Sequence, residues 1–154
     1  MPGLSQSEFN AILATEKFVS GDIEWGPDQD HSPAVEFLVR VESVERYPLT
    51  VRGSYNHEAR ALFYVLLHRG VGRIYALDLG KDHRNPSTQQ LVGDLHKHHW
   101  TEEGADREAY RPTDITAGID DPVAVWRQFC DEAKLIHEGK FATPTPPRGL
   151  FDAQ

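Results

Sequence analysis

The chain has 154 residues, of which 39% are hydrophobic and 26% charged, and its formal net charge is −8 at pH 7. This length fits one compact domain with an ordinary core, and the charge argues against a nucleic-acid binder that relies on counterion release alone. The single Cys130 excludes an internal disulfide, and neither a basic-then-apolar leader nor a membrane-length apolar run occurs, so we expect a cytoplasmic protein outside the membrane.

The first predicted element is an amphipathic helix over residues 6–17. Ser5 and Glu8 form the S-x-x-E pattern of a capping box, which satisfies the free backbone N–H groups at a helix start. Phe9 and Ile12 lie on one face at helical spacing. The sequence therefore predicts a helix that packs one apolar face on the rest of the domain.

An acidic, turn-rich segment at residues 20–33 follows and is predicted to be a long surface loop. Four strand-like segments come next, with short connections that indicate an antiparallel meander. The four segments are AVEFLVRVES, PLTVRGSY, ALFYVLLH and RIYALDLG. The third is apolar on both faces, which is typical of a central strand covered on two sides.

The last predicted element is a helix that Asp121 caps, with Pro122 at its first position and Gly139 at its end. The remainder, residues 140–154, is Pro-rich and predicted to be an extended tail beyond a single globular domain of residues 1–139. The predicted fold class is α+β, with an antiparallel sheet of four to six strands flanked by an N-terminal and a C-terminal helix.

A histidine-rich segment is the strongest chemical signal in the chain. Four of the eight histidines fall between positions 83 and 99, namely His83, His96, His98 and His99. Imidazole exchanges protons near neutral pH and is a common metal ligand, so the segment indicates proton transfer, a metal or a charged ligand. In an extended segment His96 and His98 share one face and His99 takes the other. The alternative is a pair of exposed histidines on an edge strand.

Two further polar residues complete the predicted catalytic set. Asp78 interrupts the apolar strand RIYALDLG, where a buried carboxylate needs a partner such as Arg52 or Arg73. Asn85 follows His83 in a polar loop, where it is expected to position that histidine or a phosphate oxygen. The alternatives are a structural ion pair for Asp78 and an ordinary turn for Asn85.

Substrate contacts are predicted for two arginines and a tyrosine. Arginine outnumbers lysine by eleven to five, and its planar fork suits phosphate and carboxylate groups. Arg52 or Arg69 is the expected phosphate clamp, and Tyr64 is expected to line the same cleft. The alternatives are solvated arginines on a sheet face and a core tyrosine with a satisfied hydroxyl.

Seven short motifs over residues 4 to about 137 occur in an order that resembles a family of small uncharacterised bacterial proteins, a domain of unknown function. The motifs are LSQSEF, VRVES, TVRG, ALDLG, DHRNP, DLHKHHW and WRQFCDEA. The matched motif positions are Asp78, His83, Asn85, Pro86 and His96. Asp94 stands where that family usually has a further histidine. The resemblance implies a bacterial protein from a mobile-element or defence neighbourhood and supplies no activity.

The lead hypothesis is a small, toxin-like endoribonuclease that cleaves RNA without a metal or other cofactor. RNA provides its own nucleophile, so cleavage needs a base, an acid and a cation near the phosphate. His83 and His96 are the predicted acid–base pair.

Two alternatives come from other classes of protein. The acidic charge fits an antitoxin, immunity or anti-defence protein that binds a basic partner without catalysis. His83, His96 and His98 can instead bind a divalent transition metal such as Zn²⁺. Oligomeric state, including a homodimer, stays open.

Overall fold

Within residues 3–145, which the computed structural model describes, two helices accompany a central antiparallel sheet of seven strands. In chain order the elements are α1 (Gln6–Ala14), β1 (Lys17–Ser20), β2 (Gly26–Pro27), β3 (Val35–Val41), β4 (Leu49–Asn56), β5 (Ala61–His68), β6 (Gly72–Leu79), β7 (Leu95–His99), β8 (Ala109–Tyr110), α2 (Pro122–Ala133) and β9 (Leu135–Glu138). Strands β2 to β8 are neighbours in chain order, while β1 and β9 form a separate parallel pair.

The predicted α+β class is confirmed, and the sheet is larger than expected. The additional strands of the main sheet, β2 and β8, have two residues each. Such short strands have no room for the alternation that reveals a strand in a sequence. Strand β2 lies in the segment at residues 20–33 that the sequence predicts to be a loop.

The two helices begin where the sequence predicts and end earlier. The Ser5–Glu8 capping box is formed, and α1 stops at Ala14. The Asp121 side chain accepts a hydrogen bond from the backbone N–H of Ala124, and α2 stops at Ala133 rather than near Gly139. Lys134 adopts a left-handed conformation there and turns the chain into β9. In the part of the chain described, no helix has the length and apolar character to cross a membrane.

The two faces of the main sheet have different surroundings. Alternate residues of β3 to β7 point to a buried face, where Tyr64 of β5 packs against Trp126 and Phe129 of α2. The opposite face, which we call the open face, carries a row of registered neighbours across five strands. That row is Glu36, Ser54, Phe63, Asp78 and His96. Paired residues on neighbouring strands share a face, so these five side chains lie on one side of the sheet.

Packing contacts continue past Gly139, where the sequence predicts the globular domain to end. Phe141 packs against Trp126 and Phe37, and the main chain at Ile23 bonds that of Ala142. The predicted 20–33 loop is thereby anchored to the core, and the packed domain extends to Ala142. Isolated buried residues in irregular segments such as these leave no periodic signal in a sequence. The last nine residues of the predicted tail, 146–154, lie outside the described residues.

Lys17 provides a stability test of the junction between α1 and β1. Its fully buried ammonium donates to the carbonyls of Ile12 and Thr15, the second at 2.6 Å, and burial lowers the pKa of Lys17 to about 8. Lys17→Met should lower the free energy of unfolding by about 1–3 kcal/mol, because it removes the Lys17 donor from the Thr15 and Ile12 carbonyls, of which the second keeps the Thr15 backbone N–H. Urea denaturation measures the loss. Lys81→Met, at an exposed position, is the control, and equal stabilities of the two variants would contradict this role.

Candidate metal centre

Three histidine rings meet on the open face of the sheet at β7. His96 is the registered neighbour of Asp78, and His98 lies two residues further along the same strand. The connection between β6 and β7 returns His83 to the same place. The ring centroids are 5.5 Å apart for His83 and His96, 4.7 Å for His83 and His98, and 5.1 Å for His96 and His98. The two histidines predicted to form an acid–base pair therefore share one site with a third.

Each of these imidazoles is hydrogen-bonded to a backbone carbonyl through one ring nitrogen. His83 Nε2 donates to Arg107 O at 2.9 Å, His96 Nδ1 to Gly93 O at 3.0 Å, and His98 Nδ1 to Asp106 O at 2.7 Å. A carbonyl only accepts, so the bonded nitrogen carries the hydrogen, and in the neutral ring the other nitrogen has a free lone pair. The free nitrogens are His83 Nδ1, His96 Nε2 and His98 Nε2. Backbone bonds of this kind orient histidines that bind metals.

The spacing of the three imidazoles suits a single ion. Each ring offers one nitrogen as a possible metal ligand, and these three nitrogens all lie within 4.8 Å of one another. An ion centred among three points so spaced is at most about 2.8 Å from each, and small side-chain rotations would reach the 2.0–2.1 Å typical of zinc–nitrogen bonds. The three imidazoles are therefore placed where they could hold one metal ion.

Asp78 adds a carboxylate to the cluster. Its Oδ2 lies 3.4 Å from His96 Nε2 and 3.9 Å from His98 Nε2. The same oxygen is buried and has no hydrogen-bond partner among residues 3–145. Buried polar atoms are nearly always satisfied, so an unpaired carboxylate oxygen beside three imidazoles indicates a ligand or a proton at this point.

The surroundings of His96 and His98 shift the pKa values of these two histidines in opposite directions. Burial opposes charge on His96, but Asp78 and the Gly93 carbonyl outweigh it and raise its pKa. Burial, assisted by the positive charge of Arg73, lowers the pKa of His98. His98 is thus held neutral at neutral pH, which is the state in which imidazole binds a metal.

The loop that carries His83 is held in place by two side chains. Asp82 Oδ1 accepts from the backbone N–H of His83 at 2.7 Å and of Gly93 at 2.8 Å. Asn85 bonds both the N–H and the carbonyl of Ala109 in β8, each at 2.8 Å. Asn85 therefore positions the loop through β8, and its polar atoms are engaged there rather than at the histidines. Gly93 has φ +116°, a left-handed conformation that favours glycine.

Comparison with known proteins places the chain in a family. Residues 4–135 match the model of a family of unknown function, DUF6978. The chain belongs to this family. The expected membership of an uncharacterised domain family is thereby confirmed. No curated protein matches this DUF6978 chain, and no solved structure does.

Two residues predicted to contact substrate lie elsewhere in this DUF6978 domain. Tyr64 is fully buried on the opposite face of the sheet, where its hydroxyl donates to Pro122 O at 2.8 Å. Arg69 follows the end of β5 and lines a separate hollow with Arg40 and Arg46. Neither residue belongs to the histidine cluster, and a role of either in substrate binding stays a prediction. His99 points away from the cluster, as the alternation predicts, and contacts Glu132.

Arg52, the other predicted clamp, lies on the open face in a groove beside the cluster. The groove has a volume of about 500 Å³, and Asp78 is part of its wall. Its other open-face residues include Phe63, Val65, Leu67, Arg73 and Lys81. This groove is not evident from the sequence, because ALFYVLLH is apolar on both faces, which predicts two covered faces.

Proposed function

We propose that this DUF6978 protein binds one divalent transition-metal ion through His83, His96 and His98 and uses it to hydrolyse phosphodiester bonds in RNA. The observation that supports the proposal is the convergence of three imidazoles, each oriented by a backbone carbonyl, next to an unpaired carboxylate oxygen. Three nitrogen ligands and an open position are typical of catalytic zinc sites. RNA as partner and a cytoplasmic location, both expected from the sequence, belong to this proposal.

In this mechanism Asp78 acts as the general base. Its unpaired Oδ2 lies 3.4 Å from His96 Nε2, where it would take the proton of an attacking water. The water oxygen forms a bond to phosphorus, the bond to the leaving oxygen breaks, and a proton passes to that oxygen. A metal ion held by His83, His96 and His98 would supply positive charge to stabilise the phosphate as the reaction proceeds.

A second candidate is the metal-free ribonuclease expected from the sequence. The observation that favours it is the direct neighbourhood of His83 and His96, whose ring centroids are 5.5 Å apart. In this alternative one ring accepts a proton and the other donates one. The two candidates differ in what chelation does to activity.

The deciding experiment uses protein purified without a histidine tag. We expect near-stoichiometric Zn, Fe or Mn by elemental mass spectrometry, loss of RNA cleavage after chelation, and recovery when the ion returns. The control variant His57→Ala, which changes a histidine in the β4–β5 turn, should retain metal and activity. Undiminished cleavage by metal-free protein would favour the acid–base pair. A chain that neither contains nor takes up metal would refute the proposed centre.

A further inference from the structure

The groove on the open face adjoins the histidine cluster. Asp78 faces His96 Nε2 on one side and forms part of the groove wall on the other. A ligand in the groove would therefore lie on the same side of the sheet as the cluster, with Asp78 between them. The volume of about 500 Å³ lies within the range of about 300–1,000 Å³ that holds small organic ligands.

The floor of the groove is a flat apolar strip. Phe63, Val65 and Leu67 alternate along β5 and present their side chains to the open face. The guanidinium of Arg52 lies 5.3 Å from the centre of the Phe63 ring and is held by ion pairs to Asp28 and Glu36. Because Arg52 is already paired and its guanidinium lies over the Phe63 ring, the two planar groups together form one stacked surface. Such a surface suits a planar ring of a ligand.

Cationic groups line the same groove. Lys81 has neither an ion pair nor a hydrogen bond to a side chain in the described part of the chain, and it follows β6 close to Asp78. Arg73 bonds Asp106 through Nε, and its terminal nitrogens have no partner within residues 3–145. Lys81 therefore supplies a cation at the Asp78 end of the groove, while Arg73, the strand neighbour of Leu67, lies at the other end.

We infer that the groove binds one nucleotide unit, with the base on the Phe63 strip and the phosphate between Lys81 and the histidine cluster. This inference rests on the proposed function and gives it a substrate subsite. The flat base would lie on the apolar strip of Phe63, Val65 and Leu67. The phosphate would lie at the end of the groove that carries Lys81. The groove has room for one nucleotide rather than for a duplex. Duplex binders need many positive charges along the phosphate backbone, whereas binding of one nucleotide does not require a basic overall charge.

Calorimetric titration of the metal-loaded protein tests this inference with adenosine 5′-monophosphate, adenosine and inorganic phosphate as probes. The nucleotide should bind at least tenfold more tightly than either fragment. Phe63→Ala should weaken nucleotide binding about tenfold and leave phosphate binding unchanged, since stacking on one aromatic ring contributes about 1–3 kcal/mol. Lys81→Gln, at an exposed position, should weaken both nucleotide and phosphate. Leu38→Ala, which changes an exposed apolar residue of β3 outside the groove, should have no effect.

Metal analysis of the same samples separates the two proposals. If metal is stoichiometric and the nucleotide binds no better than its fragments, or Phe63→Ala has no effect, the groove inference is refuted and the metal centre stands. If metal is absent and Phe63→Ala still weakens nucleotide binding, the metal centre is refuted and the groove inference stands.

Discussion

Alanine at His98 is expected to remove the bound metal ion and, with it, hydrolysis of RNA. His98 is almost fully buried, its free nitrogen is one of three that converge, and no other histidine of the described chain is close enough to replace it. Loss of a hydrogen bond that supports a ligand typically reduces metal affinity 10–100-fold, so loss of the ligand itself should exceed about 100-fold. Metal content after dialysis, measured by elemental mass spectrometry, is the readout. A His98→Ala protein with its full metal content would contradict the assignment.

Asp78→Asn distinguishes a role of Asp78 as general base from a role as metal ligand. The amide keeps the shape of the carboxylate but cannot take a proton, so metal content should stay near that of the parent while the rate falls about 10²–10⁴-fold. His57→Ala should change neither quantity. If Asp78→Asn loses metal as completely as His98→Ala, then Asp78 is a ligand and its proposed role as base is wrong.

The part of the site on β7 could be predicted from local pattern. A strand alternates its side chains, so H-x-H-H in an extended segment places His96 and His98 together and His99 on the other side. The structure has this arrangement. The contribution of His83 could only be a hypothesis, because the path of the loop depends on Asp82, Gly93 and the Asn85 contact with β8. Loop paths of this kind have no periodicity to interpret.

The partners of His96 depend on sheet register, which the sequence does not reveal by itself. Asp78 lies beside His96 because β6 and β7 pair in one particular register, and a shift by one residue would send it to the other face. The sequence likewise does not show whether Phe63 or Tyr64 faces the groove. Both faces of ALFYVLLH are apolar, and only the packing of α2 on the Tyr64 side decides which face is covered.

A charged cluster on the buried face holds β7 against α2, directly behind the histidines. The fully buried Lys97 ammonium lies 2.7 Å from both Glu132 Oε1 and Asp114 Oδ2. Glu132 also accepts a hydrogen bond from the Tyr75 hydroxyl at 2.9 Å and lies 3.3 Å from His99 Nε2. Burial tends to raise the pKa of Glu132, but His99 and Lys97 outweigh it and lower that pKa to about 2. The ionised carboxylate therefore stabilises the folded state.

Glu132→Gln should lower the free energy of unfolding by about 2–3 kcal/mol at neutral pH, because it removes a charge that the buried Lys97 needs. The folded-state pKa lies below the ordinary value of 4.5, so this stabilisation is complete above about pH 5 and is lost as the pH falls towards 2. Urea denaturation of parent and variant from pH 7 to pH 3 should show a difference that shrinks with acidification. Glu138→Gln, at an exposed position, provides the baseline. A difference that is absent, or that stays constant with pH, would show that the ionised carboxylate of Glu132 does not stabilise the fold.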